Sequence, residues 1–400
     1  MAGKRSVPIR AEAVVPESSA YNKYYMRVAS RYGVAKWISL LLFTVYLLGM
    51  LFFGRNSITY ENFLYLLRDF NLSSGVSGAY TAIAYEEQQS MSFEEYKNTL
   101  AVVGSAGVRL YDGGGNALFR DATSYKTPVL VTGDRYMLLY DEGGRDYSVM
   151  TALARVLSGT SDGDILCGVM SETGNFALIA RAAEARYSID IFDESLSIVE
   201  RVYRDAYITG AAFDRSGETL AVLSTASSNW SLVSEVQFLT IGTENIKTVS
   251  LGSHLPLLCQ NMAGGNWAIV CDDAVFILSK EGSVVFEYPL TSMTLSHFHI
   301  SERMIGLVCS ENVLGNANRV IAFNENGLSV IDTRVGNKVS GIYTSEESDA
   351  VYLLYDNAVE RISNTAVQRV SFTGSLLQIR EIAGHIVLCF PAGAYAADFQ

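Results

Sequence analysis

Two stretches decide how the chain reads: Leu100-Ala-Val-Val-Gly104…Val108-Arg-Leu-Tyr-Asp112-Gly-Gly-Gly-Asn-Ala-Leu118 and Trp267-Ala-Ile-Val270…Val275-Phe-Ile-Leu-Ser-Lys-Glu-Gly282-Ser-Val-Val285. Each is an apolar strand, a turn, a strand closing on a polar step, a glycine-bearing turn and a final strand. Glycine at such turns supplies the positive φ that tight hairpins need. Further copies are Phe176-Ala-Leu-Ile179…Ile189-Asp-Ile-Phe-Asp193, Ile305-Gly-Leu-Val308…Val320-Ile-Ala-Phe-Asn324-Glu-Asn-Gly327 and Val351-Tyr-Leu-Leu-Tyr355…Val359-Glu-Arg-Ile362. The last turn of each unit falls near residues 113, 152, 194, 243, 282, 326 and 364, at spacings of 39, 42, 49, 39, 44 and 38. A period of about 40 residues with about four strands per unit is the mark of β-propeller blades. The expected fold is therefore all-β.

The apolar second strands, such as residues 221–224, 268–270 and 351–354, barely alternate. Strands covered on both faces by neighbouring blades read this way, whereas a two-sheet sandwich alternates and a β-helix has shorter coils. The tail from Leu376 to Phe399 offers three strands of an eighth unit and no fourth. A ring must close or leave sheet edges exposed. Ala79-Tyr-Thr-Ala-Ile-Ala-Tyr85 can supply the missing strand, or else begin the first unit. Eight blades are expected, with seven as the alternative.

Working outward, Trp37 to Phe53 (WISLLLFTVYLLGMLFF) carries no charge and is flanked by Lys36 and Arg55, and adding Val34 to Lys36 gives twenty residues. About twenty helical residues cross a hydrocarbon core of roughly 30 Å. A cleaved signal peptide is disfavoured by the long preceding segment and the absence of a small-residue cleavage pattern. Residues 1–36 hold seven basic residues against Glu12 and Glu17, a net of +5, while the remainder nets −17. Basic residues beside a span stay in the cytoplasm, so the C-terminal part is expected outside.

The expected organisation is a basic cytoplasmic tail (1–33), a transmembrane helix (34–53), a short amphipathic helix and linker (54–78) and an extracytoplasmic propeller (79–400). In the tail, Lys23, Arg27 and Arg31 share one helical stripe that can meet anionic headgroups. A solvated helix that only sets topology is an equal reading. Thr59 to Phe70 reads as the amphipathic helix, with Phe63, Leu66, Leu67 and Phe70 on one face.

Of 400 residues, 49% are hydrophobic and 18% charged, with 23 Tyr and 18 Phe against 6 Pro. This excludes extensive disorder and suits a sheet-rich fold. A net charge of −12, with no basic cluster beyond the N-terminus, speaks against nucleic acid as a partner. Cys167, Cys259, Cys271, Cys309 and Cys389 sit mostly in apolar runs without CxxC spacing and read as buried thiols.

At this point the chain resembles a family of uncharacterised proteins of Gram-positive bacteria, in which a basic tail and one membrane helix precede a propeller-like domain. The matching pieces are the apolar helix, YENFLYLLR (60–68) and LAVVGSAGVRLYDGGGNALF (100–119). The resemblance implies topology and fold; the family carries no established activity, so it implies no site residues.

No phosphate-binding loop, zinc helix or nucleophile elbow occurs. His297-Phe-His299 places two imidazoles on one strand face but lacks a third ligand. His254 and His385 are isolated, and Asp272-Asp273 marks a turn. Asp112-Gly-Gly-Gly-Asn116 lacks the glutamate of a calcium loop and reads as a hairpin. Ser171-Glu-Thr-Gly174-Asn and Asp214-Arg-Ser-Gly217-Glu suit the polar turns before inner strands, and Asn71 and Asn229 match the glycosylation sequon. No catalytic, cofactor or metal residue is assigned, and no cofactor is expected.

Two functions follow from the architecture. The preferred one is a membrane-tethered scaffold that binds an envelope protein or cell-wall polymer; the other is a glycan-acting hydrolase or lyase with carboxylates at the channel. A weaker third is a sensor signalling to the short tail. Raised-pKa carboxylates in the channel would favour the enzyme, and an apolar or aromatic rim patch the scaffold.

Overall fold

The computed structural model describes residues 31–45, 82–228, 230–243, 245–311 and 317–399. The chain divides into two units, Met1–Gly78 and Ala79–Gln400. The second is a ring of eight four-stranded antiparallel sheets.

Its first strand, β1 (Ile83–Ala84), stands apart from those that follow. Blade 1 holds β2–β5 (Ser92–Tyr96, Thr99–Gly104, Gly107–Tyr111, Ala117–Asp121), and blade 2 holds β6–β9 (Pro128–Thr132, Met137–Asp141, Asp146–Met150, Arg155–Thr160). Blade 3 is β10–β13 (Ile165–Met170, Phe176–Arg181, Tyr187–Phe192, Ile198–Arg204), and blade 4 is β14–β17 (Tyr207–Phe213, Thr219–Ser228, Ser231–Thr240, Ile246–Gly252). Blade 5 has β18–β21 (Pro256–Asn261, Trp267–Cys271, Ala274–Leu278, Val284–Pro289), and blade 6 has β22–β25 (Thr294–Ile300, Met304–Ser310, Asn318–Asn324, Ser329–Val335). Blade 7 is β26–β29 (Gly341–Thr344, Ala350–Tyr355, Ala358–Ser363, Val367–Ser371). Blade 8 takes β30–β32 (Gln378–Ile382, His385–Phe390, Gly393–Ala396) from the end of the chain and β1 from its beginning, in the order β1-β32-β31-β30.

The eight-blade count holds, and β1 is the missing outer strand. Ile83 pairs with Ala394 and Ala84 with Gly393. The part of the expected strand at 79–81 lies outside the described residues. Ile83, 1% exposed, packs in one cluster with Phe93, Leu100, Val102 and Tyr111 of blade 1 and with Ala394. The last turn of each unit also falls where the repeat placed it, at residues 112–116, 193–197 and 279–283 among others.

The second strand of each blade is buried where it lies between its neighbours: Leu100–Gly104, Phe176–Ala180, Trp267–Cys271 and Met304–Cys309 carry no exposed side chain, and in blade 4 only the end Ala226–Ser228 is exposed. Neighbouring blades cover both faces, which is why these strands do not alternate. The outer strands, with one face in water, do alternate, as in Arg155–Thr160 and Val367–Ser371. All five cysteines are free, and burial pushes their thiols up, Cys259 and Cys389 to about 12.

In the first unit, residues 31–45 form a helix with Val34, Trp37, Leu41, Leu42 and Phe43 all exposed. Among the described residues no helix is long and apolar enough to cross a membrane. The expected transmembrane helix is thus not shown, and its second part, 46–53, lies outside the described residues, as do Tyr21 to Ser30 and Thr59 to Phe70.

Candidate binding site at the channel mouth

The innermost strands line a central channel whose first-to-second-strand turns all open on one face. Polar groups clasp the turns of this face from one blade to the next. The Tyr96 hydroxyl donates to the Arg135 carbonyl at 2.8 Å, and Asn175 Nδ2 to the Gly217 carbonyl at 2.8 Å. Asn266 Nδ2 donates to the Glu325 carbonyl at 3.1 Å, and Ser301 Oγ to the Ser345 carbonyl at 3.0 Å. Blade 8 joins blade 1 through Arg380, whose Nε donates to the Phe93 carbonyl at 2.7 Å and whose guanidinium meets Glu94 at 2.6 Å. Gln378 Oε1 accepts the Phe93 N–H at 2.7 Å.

At this mouth the channel widens into two adjoining chambers of about 690 and 640 Å³, which share Glu94, Glu172, Gln260, His299, Glu302 and Arg380. Around them Glu95, Asp134, Glu346 and Glu381 add carboxylates, against the cations Lys97, Arg215 and Arg380. Acid exceeds base, so the mouth draws in cationic groups.

These carboxylates are held in place. Both Glu381 oxygens accept from Ser345 Oγ, at 3.1 and 2.9 Å, and one also accepts the Glu346 N–H at 2.7 Å. Glu346 Oε2 accepts the Glu302 N–H at 3.0 Å. The chain Glu302–Glu346–Glu381 therefore links blades 6, 7 and 8 by carboxylate-to-amide bonds. Arg215, in the turn of blade 4, binds Glu172 of blade 3 at 2.5 Å and also Glu302 of blade 6. One guanidinium so spans the mouth past blade 5.

Crowding shifts several of these groups. Protein enclosure, reinforced by Glu302 and Glu381, pushes the Glu346 carboxyl up to about 7, even though its residue remains open to water in the mouth. Enclosure likewise raises Glu95, with Asp134 and Glu94 adding to it, and raises Glu172 against the opposing effect of Arg215.

His299 sits deeper. Its Nδ1 accepts the Thr344 N–H at 3.2 Å and lies 2.8 Å from the Thr344 hydroxyl, so the neutral ring carries its proton on Nε2. Gly306, opposite His299 in the ladder, is what lets blade 7 come this close: a Cβ there would lie 2.5 Å from Thr344 Cγ2. Burial, aided by Arg380, lowers the His299 pKa to about 4. The folded state then prefers the neutral ring while the unfolded chain protonates near 6.5, so stability falls as pH drops from about 6.5 towards 4. Relative to His299→Gln, the parent should lose about 1–3 kcal/mol over that window. Glu346 acts in the opposite sense, its neutral folded form losing stability as pH rises towards 7, but it is common to both proteins and cancels. Parallel curves from denaturant melts at pH 7 and pH 4 would refute the assignment.

Of the motifs read from sequence, Ser171–Asn175 and Asp214–Glu218 do form such turns and supply Glu172 and Arg215 to the mouth. Around His297 and His299 no group of three potential metal ligands gathers among the described residues. His254 is not isolated, its Nδ1 lying 2.5 Å from Asp273 in the turn after β19. Asp112 closes a hairpin on the Asn116 N–H at 2.7 Å. Glu94, Arg380, Glu346 and Glu381 were not singled out. A faint signal exists in Ser92-Phe-Glu-Glu-Tyr96 and Gln378-Ile-Arg-Glu-Ile382, two innermost strands with the same burial pattern and charged third and fourth residues.

Fold and site together define an eight-bladed β-propeller with a carboxylate-rich channel mouth. The chain belongs to the family of unknown function DUF5711, which matches residues 77–384. No curated protein matches it in sequence. Among solved structures it is similar to a crystal structure of the eukaryotic initiation factor, with TM-score 0.55 and 9% identity over 80% of this chain and 85% of that one. It is also similar to apo AztD from Citrobacter koseri, with TM-score 0.51 and 11% identity over 77% and 90% of the two chains. At such identities the likeness is one of fold.

Proposed function

We propose that the chain is a membrane-tethered interaction module that holds an envelope protein or cell-wall polymer through cationic groups at the carboxylate-rich mouth. The observation that carries this reading is the excess of fixed carboxylates around two open polar chambers. Glu95, Glu346 and Glu381 are held on backbone amides and Glu94, Glu172 and Glu302 on arginines, which makes a preorganised surface. The tether rests on the uncharged run 37–53, the basic residues before it and a helix whose apolar side chains are exposed on all sides. Such a helix needs lipid or protein around it. The basic tail then lies in the cytoplasm and the propeller outside.

The test is in-cell crosslinking of the full chain beside a variant carrying the anchor alone. A defined complex that depends on the propeller, weakens in high salt and is lost in Glu302→Gln/Glu346→Gln supports the reading. Recovery equal to the anchor-only background sinks it. With pentalysine as probe, affinity should rise about 2–5-fold between pH 6 and pH 8 as Glu346 ionises. Glu346→Gln should flatten that rise.

A second reading is a glycan-acting hydrolase or lyase, favoured by one observation: Glu346, raised to about 7, lies beside Glu302 and Glu381. A carboxyl that keeps its proton near neutrality, close to other carboxylates, suits the role of a general acid. Against it, the oxygens that would act already accept backbone amides. Release of reducing sugar from cell-wall glycan, lost in Glu346→Gln, would replace the binding reading with this one.

A further inference from the structure

Blade 4 departs from the other seven. Its two central strands, β15 and β16, are ten residues each, against four to seven in the rest. The innermost strand β14 stops supporting them at the Tyr207–Thr225 pair. Beyond it Ala226–Val233, Ser227–Leu232 and Ser228–Ser231 continue as a bare two-stranded ribbon. At about 3.3 Å per residue the ribbon projects about 10–13 Å from the face opposite the carboxylate mouth.

Trp230 stands at its tip, fully exposed at 102%. Its φ is +66° in the connection between the paired Ser228 and Ser231, a conformation that favours glycine. A bulky side chain there is strained, and the fully exposed ring gains no packing among the described residues. A strained, solvent-facing tryptophan is placed for a contact outside the molecule. The surroundings indicate of what kind: residues 219–234 carry no charge in a chain of net −12, and the ribbon offers the hydroxyls of Ser227, Ser228 and Ser231.

We propose that this hairpin is a saccharide-binding finger, with the Trp230 indole stacked on the C–H face of a neutral sugar ring and the flanking hydroxyls bonded to sugar hydroxyls. A membrane-seeking tip would add Lys or Arg for anionic headgroups, and this one has none. The finger lies on the face opposite the mouth, so mouth variants and finger variants fail independently.

The test uses the full chain in detergent with Trp37→Phe, so that Trp230 is the exposed reporter beside the buried Trp267. Chitohexaose or cellohexaose should shift Trp230 emission to the blue. By calorimetry Trp230→Gly should weaken binding by about tenfold or more. Because glycine suits the turn, this variant should melt no earlier than its parent, which separates loss of contact from loss of fold. Three results would each overturn the proposal: no response to either hexasaccharide, binding that persists in Trp230→Gly, or quenching of Trp230 by brominated phosphatidylglycerol in reconstituted vesicles.

Discussion

Trp267→Ala should destabilise the propeller by about 3–5 kcal/mol, the range for truncating a large buried aromatic. Trp267 is 2% exposed on the second strand of blade 5. It packs against Phe238 of blade 4, ring centroids 5.4 Å apart, in a cluster with Leu223, Leu251 and Leu278. Truncation removes the packing between two blades and leaves a void that rigid sheets cannot collapse to fill. Trp267→Phe keeps a ring in place and should cost less than half as much. Denaturant melts read both, with a lower midpoint and an unchanged slope for the alanine variant. A loss below about 1 kcal/mol for alanine would show that the blade 4–blade 5 seam is not part of the cooperative core.

Ile83→Asp should be comparably severe, at about 3–5 kcal/mol near neutral pH, because it places an unpaired carboxylate in an apolar seam. Ile83 touches blade 1 while its backbone pairs with Ala394, so the change strikes the one strand that closes the ring. The junction would then rest on Tyr85, with its hydroxyl on the Phe390 carbonyl at 2.7 Å and its ring against Phe93, and on the bonds of Arg380 and Gln378 to Phe93 and Glu94. The buried carboxyl would have a raised pKa, so its cost grows as pH rises above about 4 and is smaller at pH 4–5 than at pH 7. Hydrogen exchange at Ala394 and Ala396 should accelerate, and Ile83→Val should show little of either effect. Unchanged exchange in the aspartate variant would mean that β1 is not the lock.

The repeat was legible because each blade spends its glycine-bearing turn and its unbroken apolar strand at nearly constant spacing, and a buried second strand has no choice of pattern. Even the irregular interval carries meaning: the 49 residues between the turns near 194 and 243 contain the lengthened hairpin of blade 4. The composite eighth blade was legible because three strands without a fourth leave an edge. The mouth was not. Its carboxylates come one or two at a time from six blades, and Glu94 meets Arg380 across nearly the whole domain. Sequence spacing records neighbours along a strand, whereas this site is made of equivalent positions around a ring. The membrane span was read from an uncharged run, and the described helix covers only its first part.

The two-residue strand β1 also sets a timetable. Its partner Ala394 is made about 310 residues after Ile83. At roughly 5–20 residues per second that is a delay of about 15–60 s between the first strand and its mate. Through that interval blade 1 can form but its seam with blade 8 cannot, so Phe93 and Leu100 wait uncovered beside an open sheet edge. The nascent domain therefore carries its greatest aggregation hazard at its oldest end, and a chaperone acting on this protein should be found on residues 83–111 until the final blade arrives.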